Sequence, residues 1–334
     1  MTKHLRHLLI TCTVIASLVA TVSAAEQPAS AQVQLAADVW PPFTNHFGKP
    51  RIATEIVHLA LAKSGYEPTT QILDSWTVPE DLKAGKYDGC GALWKSAERE
   101  AYLLFSKPYL QSRLHLAGRK GLEVDLTDLS QLKGKRLVLV QGYAYGELVD
   151  SLKDIEIIYG KDSVSNLKML INGDADYTLV DDLLIQYMLK QHTDKHEELL
   201  DFGNESLLTN PIHLALRKNL PGAAKIIKQF DQTIRLMQVD GTYNRILRLN
   251  SISIDVDGNG HKELVLTDIN LNTAAPVGGY DIFSNHKPLP PKTRYSIRDT
   301  IYNDWDDVPN DYRSEDDFIP DTRKEGFNLF GGDF

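Results

Sequence analysis

The fold is decided by one stretch of the sequence, Leu82-Lys-Ala-Gly-Lys-Tyr-Asp-Gly-Cys-Gly-Ala-Leu-Trp-Lys-Ser-Ala-Glu-Arg99, which continues to Phe105-Ser-Lys-Pro-Tyr109. It predicts a helix, a tight turn, a strand and then a short helix that carries Arg99. The planar guanidinium of Arg99 offers a donor fork that matches a carboxylate. Alternatively, Arg99 is a solvated helix residue that pairs with Glu98 or Glu100.

The small residues of this stretch indicate where a ligand would lie. Ligands of open α/β sheets bind beyond the carboxyl ends of the strands. Gly89, Gly91 and Ala92 would leave room there for a ligand to reach backbone N–H groups.

Two later stretches repeat this arrangement. Leu132-Lys-Gly-Lys-Arg-Leu-Val-Leu-Val-Gln-Gly-Tyr-Ala-Tyr145 predicts a strand and a glycine turn at a helix N-terminus, a place that favours anions. Asn172-Gly-Asp-Ala-Asp-Tyr-Thr-Leu-Val-Asp181 predicts a helix end and a strand with a carboxylate at its tip. Asp181 is either a ligand-binding acid or a plain N-cap of the next helix.

Strands and helices alternate on both sides of these stretches, from about residue 29 to residue 250. Strands are predicted at 33–39, 87–94, 114–117, 136–140, 155–159 and 177–180. Helices are predicted at 52–63, after a capping box at Thr77, from about Tyr145, after a cap at Ser163, and at 181–190. Such alternation predicts an α/β fold with mixed or parallel sheets.

The composition excludes several classes of fold and function. A chain of 334 residues is long enough for two folded units. The formal charge of -9 argues against nucleic acid as a partner, because a phosphate backbone requires a basic surface. Two cysteines exclude a disulfide scaffold and a thiolate zinc cluster as the organising principle.

The first 25 residues predict an export signal. Lys3 and Arg6 precede a run at 8–22 of almost wholly apolar or small residues, and cleavage is expected after Ala24 or Ala25. The alternatives are a membrane anchor or a buried N-terminal helix. Cleavage would leave a soluble exported protein with Cys90 as its single cysteine and no membrane insertion.

Residues 251–334 form a segment of different character. It contains 16 acidic against 8 basic residues, which places most of the net negative charge there. Its many aromatic residues argue against simple disorder, so we expect an irregular acidic extension that packs partly on the α/β part.

One motif in this extension suggests a metal. Asp255, Asp257, Asn259 and Glu263 supply oxygen donors at positions 1, 3, 5 and 9 of a glycine-containing loop, with the carbonyl of His261 completing it. The loop resembles the calcium loops of integrin-type propeller repeats and would bind one structural Ca²⁺. The alternative is a turn that joins strands at 252–254 and 263–266.

Several motifs together resemble the bacterial extracellular solute-binding proteins of family 3, over about residues 32–249. The motifs occur in the family's order: Leu-x-x-Gly-x-Tyr-Asp at 82–88, Glu98-Arg99 before Phe105-Ser106, Leu132-Lys-Gly-Lys-Arg-Leu, Asn172-Gly-Asp-Ala-Asp with Asp181, and Asp240-Gly-Thr-Tyr-Asn-Arg-Ile. Each motif is weak, but the ordered set is specific.

The resemblance implies a two-lobed, type II periplasmic-binding-protein clamp. The chain would cross between lobes near 110–114 and return near 207–213. The implied division is a signal peptide at 1–25, a solute-binding domain at 26–250 and the acidic extension at 251–334. Lobe 1 would comprise about 32–112 and 210–250, and lobe 2 about 113–209.

The resemblance also implies the ligand-binding residues. Arg99 would hold an α-carboxylate, and Asp181 an α-amino group. The other implied residues are Ala144 and Tyr145 from lobe 2, the aromatic wall of Trp40 and Phe43, and Ser75 and Trp76 on the next loop. Ala92 and Trp94 stand where the family's receptors have hydroxyl residues, so the pocket is expected to be aromatic and poor in hydroxyl donors, which puts an ordinary α-amino acid in doubt.

These features predict a monomeric, non-catalytic binding protein that delivers a small carboxylated solute, aromatic or cationic in its remainder, to an ABC permease or a membrane sensor. No cofactor is expected for this function. One alternative is an enzyme on the same fold, similar to cyclohexadienyl dehydratases, with Asp181 as general acid. Another is an interaction module that acts through the acidic extension.

Overall fold

A computed structural model describes residues 31–190, 199–249, 251–255, 260, 262–266, 279–283, 295–297 and 300–309. Up to residue 249 the chain alternates strands and helices. The strands are β1 (Ala31–Asp38), β2 (Tyr66–Leu73), β3 (Gly89–Trp94), β4 (Leu103–Phe105), β5 (Leu110–Arg119), β6 (Arg136–Val140), β7 (Glu156–Gly160), β8 (Tyr177–Asp181) and β9 (Leu200–Arg217). The helices are α1 (Ile52–Lys63), α2 (Val78–Lys83), α3 (Ala97–Glu100), α4 (Glu147–Asp150), α5 (Ser163–Asn172), α6 (Asp182–Lys190), α7 (Ala223–Val239) and α8 (Thr242–Leu247).

The nine strands form one mixed sheet in the order β2-β1-β3-β9-β5-β8-β6-β7, with β4 also paired to β9. Parallel pairs lie at both ends: β1 with β2 and β3 in the first half, and β6 with β7 and β8 in the second half. Two long antiparallel strands, β5 and β9, join the halves. The chain therefore crosses from the first half along β5 and returns along β9. Among the helices of the described ranges, none is long and apolar enough to cross a bilayer.

Two predicted helix caps are wrong. Asp162, and not Ser163, caps α5, because its Oδ1 accepts a 2.7 Å bond from Ser165 N. Thr77 precedes α2 without capping it: its hydroxyl donates to the carbonyl of Asp74 at 2.8 Å. At α5 the Asp162 carboxylate accepts the backbone N–H bond of the cap, whereas at α2 the Thr77 hydroxyl is engaged as a donor to the preceding turn.

Buried tyrosines fasten the last two helices to the first half of the sheet. Tyr109 donates a 2.8 Å bond to the carbonyl of Gly91 in β3, and its ring packs edge-on against Phe230 of α7. Tyr243 of α8 in turn donates to the carbonyl of Tyr109. All three aromatic rings are almost fully buried, so each polar group has an internal partner.

The described residues of the extension form a second sheet. Its strands are β10 (Ser251–Ile254), β11 (Glu263–Leu266), β12 (Tyr280–Asp281), β13 (Tyr295–Ile297) and β14 (Thr300–Tyr302), in the order β12-β10-β11-β13-β14. The strands at 251–254 and 263–266 agree with the two strands of the turn alternative, while most of the extension lies outside the described residues. Such short strands carry little periodicity of their own, and their pairing depends on neighbours distant in sequence.

This second sheet packs on the α/β part. Ile252, Val265 and Ile282 belong to the same apolar core as the helices and strands of the larger sheet. The side-chain amide of Asn244 in α8 donates to the carbonyl of Val265 at 2.7 Å. The two sheets thus share a core.

Glycine at position 89 has a packing role and not the predicted ligand-binding role. A Cβ on Gly89 would lie 2.1 Å from the carbonyl oxygen of Ala215 in β9. A Cβ on Gly91 would meet nothing closer than 3.6 Å, at Val57. Gly89 therefore allows β3 and β9 to pair closely where the chain returns to the first half.

We predict that Gly89→Ala lowers the free energy of unfolding by about 1–3 kcal/mol or more, because the added methyl forces the strands apart. Gly91→Ala is the matched control and should leave the urea midpoint almost unchanged. Equal midpoints for the two variants would contradict the packing role.

Candidate functional site

A small cavity lies between the two halves, where the carboxyl ends of β1 and β3 face the turn after β6. Its volume is ≈ 30 Å³, which is room for about one or two water molecules. Both halves contribute to its lining. The lining residues are Asp38, Trp40, Ser75, Val78, Pro79, Cys90, Ala92, Leu93, Trp94, Arg99, Gly142, Tyr143 and Ala144.

Aromatic side chains from both halves pack together around this cavity. The rings of Trp40 and Trp94 meet edge to face, with centroids 5.4 Å apart. Tyr143 of the second half contacts both indoles, at 5.5 and 5.3 Å. Phe43 packs behind Trp40 at 4.6 Å, and Tyr145 lies 5.8 Å from Trp94. Trp40, Trp94 and Tyr143 therefore line the cavity, and Tyr143 is a member that the sequence analysis missed. Phe43 is fully buried and does not line it.

The halves are closed on each other at the edge of the cavity. The hydroxyl of Ser75 donates a 2.5 Å bond to the carbonyl of Gln141. Gly142 has a φ of +84°, and a Cβ there would lie 2.9 Å from Trp76 Cα. Trp76 is itself 40% exposed and does not line the cavity. A solute larger than a few atoms therefore requires the halves to separate or Tyr143 to move.

A larger groove borders the cavity at Ser75. Its volume is ≈ 550 Å³, and its lining includes Asp74 and Asp81 from the first half and Lys161 and Asp162 from the second. This polar groove lies between the halves and shares Ser75 with the lining of the cavity.

Arg99 is buried, with 9% of its surface exposed. Ser96 caps its short helix, and Arg99 Nη1 donates to the carbonyl of Trp94 at 2.8 Å. The alternative pairing with neighbouring glutamates is wrong: Glu98 pairs with Lys83, and Glu100 with Lys95. The guanidinium therefore lines the cavity. The bond to Trp94 uses only one of its several N–H groups.

Asp181 is the last residue of β8 and is almost fully buried. Its Oδ1 accepts a 2.5 Å bond from the Ser112 hydroxyl, and its Oδ2 accepts a 2.8 Å bond from the Trp40 indole N–H. Burial raises the pKa of Asp181 to about 7, although these two bonds favour the ionised form. The carboxylate therefore holds an aromatic wall residue in place, and its described side-chain bonds are not those of an N-cap.

Asp38 is a cavity residue that the sequence analysis missed. It is the last residue of β1, and only 9% of its surface is exposed. Burial raises the pKa of Asp38 to about 6, against the opposing influence of Tyr143 and Arg99. Its place at a strand end, directly before Val39-Trp40-Pro-Pro-Phe43, was the available signal.

Three buried polar atoms around the cavity have no hydrogen bond of acceptable geometry. They are Asp38 Oδ2, Trp94 Nε1 and the Tyr143 hydroxyl, although Tyr143 lies close enough to Asp38 to lower its pKa. Most buried polar groups in folded proteins have a partner, and orphans call for an explanation. Here one acceptor and two possible donors surround a single cavity beside Arg99. A small molecule that carries a positive and a negative group would offer these atoms hydrogen-bond partners.

The predicted calcium loop lies mostly outside the described residues. Asp257, Asn259 and His261 are not described, while Asp255 Oδ2 accepts a 2.9 Å bond from the backbone N–H of Gly260. Glu263 is buried in β11 opposite Ile254. Within the described ranges, no three His, Cys, Asp or Glu side chains form a group that could hold a metal ion. The calcium site stays a prediction.

Residues 36–249 match the sequence profile of the bacterial extracellular solute-binding proteins, family 3. The match covers more than half of the chain, and the chain belongs to this family. Its members are, by that description, extracellular solute-binding proteins.

Two curated relatives match over shorter stretches. The virulence sensor protein BvgS of Bordetella pertussis is 24% identical over 145 residues, which is 42% of this chain and 12% of that protein. The membrane-bound lytic murein transglycosylase F of Idiomarina loihiensis is 27% identical over 134 residues, which is 38% of this chain and 29% of that protein. The chain thus aligns with only a minor part of each relative.

Solved structures share the fold. The GluR0 ligand-binding core from Nostoc punctiforme, in complex with L-glutamate, superposes with a TM-score of 0.54 at 19% identity, over 64% of this chain and 96% of that one. An ancestral arginine-binding protein bound to arginine gives 0.56 at 20% identity, over 66% and 98%. The ancestral amino acid-binding protein AncCDT-1, a precursor of cyclohexadienyl dehydratase, gives 0.54 at 18% identity, over 65% and 94%. The fold is the two-lobed type II clamp with two crossovers.

We predict that the buried carboxylates make the ligand-free protein more stable at pH 5 than at pH 8. The pKa of Asp181 is raised to about 7 in the fold, so the folded state binds a proton more readily than the unfolded chain does. This stabilisation is complete below the unfolded pKa and is lost as the pH rises through 7. The loss attributable to Asp181 between pH 5 and pH 8 is about 2–3 kcal/mol.

The measurement is urea unfolding at several pH values for the wild type and for Asp181→Asn. The variant should have a flatter pH profile by that amount, while Asp150→Asn, which removes an exposed carboxyl on α4, should keep the wild-type profile. Parallel profiles for the wild type and Asp181→Asn would contradict the raised pKa.

Proposed function

We propose that this protein is a periplasmic solute-binding protein that captures a small zwitterion by closing its two halves. The observation that carries this proposal is the set of unpartnered buried polar atoms around one cavity beside Arg99. An amino-acid-like molecule carries a carboxylate and an ammonium at a short, fixed spacing. The cavity offers a cationic fork and an anionic carboxyl from the same half.

Arg99 and Trp94 form the carboxylate end of the proposed site. The guanidinium can engage a carboxylate through two parallel bonds, and such charge-assisted bonds are strong in a buried setting. The indole N–H of Trp94 is buried and without a partner, and the side chain is only 4% exposed. It supplies the donor that small hydroxyl residues provide in the receptors that this chain resembles.

Asp38 and the aromatic faces form the ammonium end. A carboxylate compensates an ammonium directly, and the faces of Trp40, Trp94 and Tyr143 add cation–π attraction. Asp181 was expected to bind this group. Its two oxygens already accept bonds from Ser112 and Trp40, so we assign the ammonium to Asp38.

We infer a hinge motion on capture, because the cavity has room for only about one or two water molecules. Separation along β5 and β9 would admit the solute through the polar groove beside Ser75, and closure would bring Tyr143 over it. Export by residues 1–25 would place the protein where such solutes arrive. Delivery to an ABC permease or to a membrane sensor would follow from closure, without chemistry and without a cofactor.

A second candidate is an enzyme on the same fold. The observation that favours it is the pKa of Asp38, about 6, on a carboxyl that lines the cavity. A general acid works best with a pKa near the working pH. The test is an assay for product formation from cyclohexadienyl substrates. Product formed by the wild type but not by Asp38→Asn would support the enzyme hypothesis over the binding-protein hypothesis.

The test of the proposed function is a screen of small zwitterions, carboxylates and amines by thermal shift, followed by calorimetry. A zwitterion at about 100 times its Kd should add about 2.7 kcal/mol of stability. Arg99→Ala should weaken its binding by about 2–5 kcal/mol, because a buried charge loses its partner. Arg99→Lys should also weaken binding, because an ammonium group cannot form the two parallel hydrogen bonds of the guanidinium.

Arg235→Ala, which removes an exposed arginine from α7, is the control and should bind like the wild type. If Arg99→Ala retains wild-type affinity for the zwitterion, the assignment of the carboxylate end is wrong.

A further inference from the structure

Two neighbouring pairs of residues join strand β5 to the end of strand β8. Ser112 and Arg113 are consecutive in β5, and Asp181 and Asp182 are consecutive where β8 meets α6. Side chains alternate between the faces of a strand, so Ser112 and Arg113 point in opposite directions. Ser112 bonds Asp181, whose other carboxylate oxygen accepts from the indole N–H of Trp40, a residue of the cavity lining.

The other pair is an ion pair on the opposite face. Arg113 Nε lies 3.0 Å from Asp182 Oδ2, and the two side chains are only 12% and 14% exposed. Burying two charges costs more than their attraction returns unless further hydrogen bonds satisfy the remaining donors and acceptors. The partners of this pair therefore decide whether it stays in place.

The C-terminal extension supplies those partners. The Tyr280 hydroxyl lies 3.0 and 3.1 Å from the two carboxylate oxygens of Asp182, and its ring lies 4.3 Å from the Arg113 guanidinium carbon. The carbonyl of Asp281 accepts a 2.6 Å bond from Arg113 Nη2. Lys262 fixes this short strand through bonds to Asp281 Oδ2, at 2.5 Å, and to the carbonyl of Phe283, at 2.9 Å.

We propose that the C-terminal sheet is a working part of the binding cleft, in which Tyr280 and the Asp281 carbonyl are positioning groups for Asp181 and Trp40. They hold Asp182 and Arg113, and the one peptide bond between Asp182 and Asp181 transmits this restraint. Asp181 then presents its Oδ2 to the indole N–H of Trp40, which lines the cavity.

The location of Tyr280 distinguishes this positioning role from a general stabilisation of the extension. The extension has an apolar cluster of its own, which includes Tyr295, Ile297 and Trp305 and no residue of the α/β part. Tyr280 lies outside that cluster and contacts the strand end that carries Asp181. Loss of the Tyr280 hydroxyl should thus change the surroundings of Trp40. Loss of the Tyr295 hydroxyl should change only the extension.

The experiment is acrylamide quenching of indole fluorescence in the ligand-free, full chain, so that it depends on no solute. Tyr280→Phe keeps the ring over Arg113 but leaves the buried Asp182 short of a donor. We expect the quenching constant of Trp40 to rise about twofold as the strand end opens locally. Trp40 is isolated by subtraction of the Trp40→Phe variant, and folding is checked by circular dichroism.

Two controls make the result specific. In the Trp40→Phe background, Tyr280→Phe should no longer change the quenching, and Tyr295→Phe should leave it unchanged in the wild-type background. Unchanged quenching in both Tyr280→Phe and Tyr280→Ala would overturn the proposal. A rise that persists without Trp40, or that Tyr295→Phe reproduces, would also overturn it, because it would report a general loosening of the extension.

Discussion

Burial of two carboxylates in one cleft is the constraint on which the rest of the site depends. Asp38 and Asp181 end strands of opposite halves, and the pKa of each is raised because water is excluded. A buried carboxylate requires donors or a cation. Asp181 obtains donors from Ser112 and Trp40, while Asp38 Oδ2 has no bond of its own. Because of this asymmetry we propose Asp38, and not Asp181, as the carboxylate that meets the solute.

The fold could be predicted from the sequence because its signals are local. The periodicity of α1 and the apolar run of β6 determine these elements within a few residues, and the ordered motifs around Arg99 indicate the family. The caps of α2 and α5 could not be predicted, because only the folded turn orients the Thr77 hydroxyl to the carbonyl of Asp74 and places Asp162, and not Ser163, at the N–H of Ser165. The role of Gly89 depends on Ala215, more than a hundred residues away.

The site was predictable only in part for the same reason. Arg99, Trp40 and Trp94 lie at the cavity because their motifs occur at strand ends. Asp38 carries no motif, and its burial and its proximity to Tyr143 of the other half arise only in the fold. The bonds of Asp181 likewise require β5 and the first loop to meet, which is a property of the closed fold.

The most direct test of the account is the proton balance of zwitterion binding. Calorimetry at pH 6 in two buffers of different ionisation enthalpy, with glycine and larger amino acids as probes, measures the protons exchanged. Because the pKa of Asp38 is about 6, a bound ammonium should expel about half a proton from it. Release of that size, diminished in Asp38→Asn, is the predicted result. Binding with no proton release, or with equal release from the variant, would contradict the assignment of Asp38 to the solute.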